Sequence, residues 1–247
     1  MANRPQAANS EIDRPAACER PTTPPRPRMF LRRCAALAPR GLLLAVLALA
    51  AVAVLIRFDV AIMREVRSVP ALTDSHSPLN GALTLLRRSA EATALIGVGA
   101  LVLLFDRNGW YVFRCALLAL FVSYCVAQLG KSVIHRERPY CFRDTIQQQP
   151  WTASWHGLHF RPFKQPRDAA FPSGHSTAAF ALWITLARCY RRGRWLFVLV
   201  AVGCASSRFL QNAHWPSDCL AGALIGLTAS GLALAVMRNG AARARER

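Results

Sequence analysis

An all-α polytopic membrane protein, a bundle of six transmembrane helices, is the fold class this sequence predicts, and three observations predict it. Of 247 residues, 53% are hydrophobic, and the mean hydropathy of +0.21 is high for a soluble fold. The apolar residues fall in long runs, and basic residues sit in short clusters between them. That is the pattern of transmembrane helices joined by charged loops. A formal charge of +18, from 31 Lys and Arg against 13 Asp and Glu, could also describe a nucleic-acid binder. The cations are spread over the connections between apolar runs and make no continuous basic face. No nucleic-acid partner is expected; the charge reports topology and an anionic ligand.

The first segment, Met1 to Pro39, carries seven prolines and many arginines without apolar periodicity. It is expected to be disordered. A transmembrane domain is expected over 40–238, followed by a short basic tail, 239–247. Gly41 to Ile56 is the first span; its 16 residues are short for a bilayer core that needs about 20, so its ends extend toward Ala36 or Phe58. The long basic segment before it separates it from a signal peptide. Five more spans follow at Ala90–Phe105, Trp110–Ala127, Ser176–Tyr190, Trp195–Leu210 and Cys219–Met237, each bounded by charged or proline-containing stretches.

With six spans, the N-terminal segment, the Arg191, Arg192 and Arg194 connection and the C-terminal arginines share one side. The excess of arginine there makes that side cytoplasmic. The loop carrying Arg57, Arg64, Arg67, Arg87 and Arg88, partly balanced by Asp59, Glu65 and Asp74, then lies outside, together with the loop from Lys131 to Phe171. Of eight cysteines, none forms a CxxC pair; Cys141 and Cys219 flank the stretches described next and leave one bridge open.

Three stretches carry the chemistry. Lys131 is followed by Arg138 and Pro139 at the outer end of the third span; alone, such cations are usually headgroup anchors. Pro172-Ser173-Gly174-His175 stands directly before the fourth span, where glycine admits a ligand to the backbone and helix-start N–H groups face an anion. Its plain alternative is a helix start capped by Ser173. Ser207 and Arg208, then His214 and Asp218, bridge the fifth and sixth spans, and ionisable groups at an apolar boundary mark a site. Spans three and five must end on the face where four and six begin, so all three stretches meet at one membrane–water boundary, the outer one. There Lys131, Arg138 and Arg208 would hold a phosphoryl group, Arg by a bidentate grip and Lys as a point charge, with the Ser173 hydroxyl and the Gly174 amide adding hydrogen bonds. Two histidines divide the proton and nucleophile work, and spacing does not say which attacks.

Read as K-x6-RP, PSGH and SR-x5-H-x3-D, the stretches resemble the signature of the type 2 phosphatidic acid phosphatase superfamily at every motif position from Lys131 to Asp218. The resemblance implies a membrane lipid phosphatase that works through a phosphohistidine. His214 is then the nucleophile, Asp218 the carboxylate that orients it, and His175 the general acid. Lys131, Arg138, Ser173, Gly174 and Arg208 become phosphate ligands. No cofactor or metal is expected, since two-metal phosphatases need several carboxylates and the motifs hold only Asp218. Glu137, Asp144 and Asp168 read as partners of local arginines, His135, His156 and His159 as structural or interfacial.

Candidate substrates are undecaprenyl diphosphate and the lipid A phosphates first, then phosphatidylglycerol phosphate and phosphatidic acid. A bacterial inner membrane is the expected location, with both termini cytoplasmic, and there the first two lead because their phosphates are available on the outer face. Trp151, Trp155, Phe160 and Phe163, among Arg161, Lys164 and Arg167, suit an interfacial lid or a loop resting on the membrane. Gly222 and Gly226 form a GxxxG expected to pack helices within one chain; the oligomeric state stays open. A lipid phosphotransferase using the same phosphohistidine is the nearest alternative. A vanadate-dependent haloperoxidase and a non-catalytic lipid binder are more remote.

Overall fold

The computed structural model describes residues 27–74, 76–142, 145, 146, 148, 150, 152, 154–158 and 169–245. The chain divides into a unit ending at Ala45 and a second beginning at Val46. The described part of the first is the opening of helix α1 (Pro27–Ser68), so helix begins inside the N-terminal segment; residues 1–26 lie outside the description.

In the second unit, helices stand at every predicted span. After the rest of α1 and a single turn, α2 (Pro70–Thr73), come α3 (Pro78–Arg88), α4 (Ala92–Phe105), α5 (Gly109–Val133), α6 (Gly174–Cys189), α7 (Arg194–Leu210) and α8 (Pro216–Arg245). Among the described residues, four segments are long and apolar enough to cross a membrane: Gly41–Ser68, Gly109–Val133, Arg191–Leu210 and Pro216–Ala241. Helices α3 and α4 make a fifth if their 59° bend lies within one span. Helix α6 has 16 residues and falls below that length. Apolar side chains such as Leu49, Leu104, Phe121, Trp195 and Val236 point outward, the surface expected against lipid tails and costly against water.

Two of the helices have a clear local reason to start where they do. Ser77 caps α3 by accepting the Asn80 amide at 3.1 Å, with Pro78 as its first residue. Proline also opens α8, and two carboxylates take its leading amides: Asp218 accepts Trp215 N–H at 3.0 Å and Asp59, from α1, accepts Ser217 N–H at 2.9 Å. Anions at a helix N-terminus are favoured by the macrodipole.

Helix α6 is central, packed against α5, α7 and α8. Small residues allow the approach: Ala119, Ala181 and Ala233 form a buried cluster between α5, α6 and α8. The GxxxG works in the same seam. A Cβ on Gly222 would stand 2.5 Å from the Ser173 carbonyl oxygen, and one on Gly226 2.5 Å from that of Thr177. The motif therefore joins helices within the chain, as expected. Gly226→Leu is expected to lower the melting temperature in detergent, at a cost of at least about 1–3 kcal/mol from overpacking; an unchanged melting temperature would contradict this packing.

One feature was not expected in an all-α chain. Strand β1 (Ile134–Arg136) pairs antiparallel with β2 (Trp155–Leu158), with Arg136 opposite Trp155. Three and four residues are too few to show an alternating pattern. Cys141 and Cys219 are thiols, so the bridge left open by the sequence is not formed.

Candidate active site

The site is built around the loop between α7 and α8. The amides of Ala213 and His214 both donate to the Arg208 carbonyl, at 3.0 and 3.2 Å, and Asn212 adopts a positive φ of 60° to turn the chain. Asn is one of the few residues that does so readily. The five-residue spacing between Arg208 and His214 is thus a closed turn that sets the guanidinium against the imidazole. Arg67 of α1 clamps it: its guanidinium donates to the Asn212 side chain at 3.0 Å and to the carbonyls of Phe142 and Pro139 at 2.9 and 2.6 Å. Arg64 reaches the Ile146 carbonyl at 3.2 Å. The outer-loop arginines with no evident purpose in the sequence are, at these two positions, ties on loop carbonyls.

His214 is buried, and its Nδ1 lies 2.9 Å from the Ala170 carbonyl. A carbonyl can only accept, so Nδ1 carries the proton and Nε2 keeps a lone pair. Asp218 Oδ2 stands 3.7 Å from the same Nδ1, a charge contact beyond hydrogen-bond length. Burial holds the His214 imidazole below the ordinary histidine range, with Asp218 pulling the other way. The ring is thereby kept neutral.

Asp218 is itself held by a residue that the sequence reading passed over. Arg136, fully buried, donates to Asp218 Oδ1 at 2.5 Å, Asp59 Oδ2 at 2.6 Å, Ser217 Oγ at 2.7 Å and Ser154 Oγ at 3.2 Å. The indoles of Trp155 and Trp215 stand 4.4 and 5.0 Å from the guanidinium carbon, and Ser217 Oγ also donates to Asp59. Arg136 lies within the x6 of the first motif, where nothing in spacing distinguishes it. Asp59 had a signal: an acid directly after an apolar run is costly unless paired. Ending the first span at Ile56 or Phe58 hid it in a loop, whereas α1 carries it into the core.

The predicted residues come together in two groups. Lys131, Gly174 and His175 line one cavity of about 340 Å³, and Lys131 Nζ lies 3.5 Å from where a Cβ on Gly174 would stand. Glycine leaves room beside the ammonium at the start of α6. Arg138, Arg208 and His214 form the second group, close enough for the two guanidinium charges to act on the imidazole. Arg208 also acts on His175, and Arg138 on Lys131, so the groups adjoin. The Nε atoms of Arg138 and Arg208 are buried without a hydrogen-bond partner. Buried donors are almost always satisfied, so unpaired ones beside further cations call for an anion.

Ser173 stands at the start of α6, where its hydroxyl accepts from a neighbour and keeps its own proton to donate. It caps nothing with its side chain and accepts from Ser176 Oγ at 3.1 Å. Its backbone amide donates to the Asp218 carbonyl at 3.1 Å, tying the second motif to the third. Glu137 pairs with His156 at 3.2 Å, and His135 and His156 rings meet at 5.1 Å, which is a structural use of all three. Trp155 turns inward onto Arg136, not outward as a lid. Trp151, Phe160, Phe163, Arg161, Lys164, Arg167, His159, Asp144 and Asp168 lie outside the described residues.

Against known proteins, the model of the PAP2 superfamily matches residues 112–241. The chain is 27% identical over 168 residues to an undecaprenyl-diphosphatase of Sulfolobus acidocaldarius, covering 66% of this chain and 72% of that protein. It is 30% identical over 194 residues to a decaprenylphosphoryl-5-phosphoribose phosphatase of Mycobacterium tuberculosis, covering 77% and 97%. Among solved structures it resembles the crystal structure of the first transmembrane PAP2 type phosphatidylglycerolphosphate phosphatase from Bacillus subtilis. The TM-score is 0.54 at 18% identity, over 78% of this chain and 96% of that one, a likeness of fold.

Proposed function

The chain belongs to the PAP2 superfamily, and on that premise we propose that it is an integral membrane lipid phosphatase, working through a phosphohistidine on His214. One observation carries the reading: a buried, neutral imidazole with its Nδ1 proton fixed and its Nε2 lone pair available stands beside buried guanidinium donors that lack a partner. That is a nucleophile next to an empty claim on an anion.

In this reading, Lys131, Arg138, Arg208 and the amides at the start of α6 hold the phosphoryl oxygens. His214 Nε2 attacks phosphorus as the bond to the lipid oxygen breaks, and that oxygen takes a proton from His175. Burial and the charges of Arg208, Arg87 and Lys131 hold the His175 pKa down, and the phosphate dianion offsets those charges so that the imidazolium can form. Imidazolium charge forming on His214 is stabilised by the carboxylate of Asp218, which Arg136 keeps in place. Water then attacks the phosphohistidine, returning a proton to His175, and inorganic phosphate leaves. None of these steps calls on a metal or a cofactor.

An amphiphilic substrate is supported by the shape of the cavity. The space beside Lys131 and His175 shares Leu95 and Leu120 with an apolar cavity of about 300 Å³ between α4, α5 and α6. A leaving group protonated by His175 has an apolar chain path from there. Six crossings, with α3–α4 and α6 among them, would put the site at the outer boundary and both termini inside; the arginine distribution supports that orientation.

Phosphate release by detergent-solubilised protein, measured over a panel of lipid phosphates and diphosphates with EDTA present, tests the proposal. Release from one class is the expected result. Transfer to a second lipid in place of water would make the protein a phosphotransferase, and loss of turnover in EDTA would overturn metal independence.

The same histidine sets the pH dependence. Protonated His214 cannot attack, and burial lowers its pKa, so the acid limb of kcat/KM is expected below the ordinary histidine value of about 6.5. Stability follows the same sign. As pH falls through about 6.5 the unfolded chain takes a proton that native His214 refuses, so this residue's contribution to stability is lost. An acid limb above the ordinary value would contradict the neutral, buried nucleophile.

A further inference from the structure

Beyond Arg208 the site opens into a second cavity, of about 700 Å³, with a polar wall. Asn80, Thr84 and Arg87 of α3 face Arg208, Gln211 and Asn212 across it. The wall is organised: Gln211 Nε2 donates to Asn80 Oδ1 and Thr84 Oγ1, each at 2.9 Å. Arg87 lies outside all three motifs. One of its terminal nitrogens pairs with Glu91 at 3.2 Å, while its Nε is buried without a hydrogen-bond partner, like that of Arg208. The charges of Arg87 and Arg208 act on each other, and both act on His175. Two guanidinium groups lining one cavity repel each other, and the arrangement is costly until an anion lies between them.

The transferring phosphoryl group does not need this second cavity. In the phosphatase reading Lys131, Arg138, Arg208 and the start of α6 hold its oxygens, and the leaving chain has the apolar path past Leu95 and Leu120. We propose that Arg87, with Arg208, forms a second phosphate subsite, and that the preferred substrate class is a lipid diphosphate. This rests on the phosphatase reading above. In the reaction His214 Nε2 bonds to the terminal phosphorus, and the bond from that phosphorus to the bridging oxygen breaks. The electron pair stays on the bridging oxygen, which takes the His175 proton. The departing lipid monophosphate keeps its charge against Arg87, which is a reason for a cation there that a monophosphate substrate does not supply.

The test compares farnesyl diphosphate with farnesyl monophosphate, which share one tail, in the wild type and in Arg87→Gln. The variant is expected to lose about tenfold or more in kcat/KM for the diphosphate, the size of a charge-assisted hydrogen bond, and much less for the monophosphate. Equal losses on both would assign Arg87 to the shared phosphoryl group or to structure, and overturn the subsite. Binding of methylenediphosphonate and of inorganic phosphate to the unmodified protein keeps the proposal testable if the variant fails to fold. Tighter binding of the diphosphonate supports it, and equal or weaker binding overturns it. A protein that hydrolyses neither farnesyl ester nor any other lipid phosphate defeats the phosphatase reading, while the diphosphonate measurement still decides whether two phosphates bind.

Discussion

Phosphate release is expected to fall by at least about 10⁴-fold in His214→Ala, the scale seen when a covalent nucleophile is removed from an otherwise intact site. Among the described residues, His214 is the one shown with a lone pair held neutral by burial and a proton fixed on the opposite ring nitrogen. The substitution also leaves the Ala170 carbonyl without its donor, at about 1–3 kcal/mol. Activity must therefore be read beside a melting curve, so that loss of chemistry is not confused with loss of fold. Trapping adds an independent readout: wild-type protein quenched during turnover should carry an acid-labile phosphoryl group, and the variant none. Turnover within tenfold of wild type, or trapped phosphate in the variant, would remove His214 from the nucleophile's role. Asp218→Asn should still label, but slowly, because the neutral amide no longer stabilises the imidazolium.

The largest loss of stability is expected from Arg136→Met. Arg136 joins Asp59 of α1 to Asp218 and Ser217 of α8, and all of them are buried. Taking out one partner strands two carboxylates away from water, and breaking a buried pair costs about 3–5 kcal/mol. A melting temperature in detergent within experimental error of wild type would refute the network. Arg136→Lys should rescue little, since one ammonium cannot reach four acceptors arranged around a planar fork. Pairing Arg136→Met with Asp59→Asn should cost less than the two singly, because the second change removes a charge that the first left stranded. Whatever protein folds should show a lower kcat with KM less affected, as Asp218 serves the transition state more than binding.

Much of the fold was legible because apolar runs of helical length have few other uses. Every predicted span carries a helix, and the motif glycines Gly222 and Gly226 serve the contact between α8 and α6. Lengths were less legible. A span ending near Phe58 is too short: α1 continues to Ser68, with Asp59, Arg64 and Arg67 satisfied by partners at least 72 residues away. A polar residue reads as the end of a span only while its partner is unknown. The β1–β2 pair was invisible for its shortness.

For the site, the sequence by itself determined the kind of chemistry. Lysine, arginine, histidine and aspartate at fixed places on four helix ends can meet at one face only if the spans alternate, and their excess of cations favours an anion. Tertiary structure alone decided who holds whom. Hydrogen bonds are short-ranged and directional, so nothing in the spacing says that the Ala170 carbonyl fixes the His214 proton, that the Ser173 amide bonds the Asp218 carbonyl, or that Arg136 and Arg87 stand behind the motif residues. Those facts depend on side chains arriving from α1, α3 and the outer loop, and only the packed helices bring them within reach.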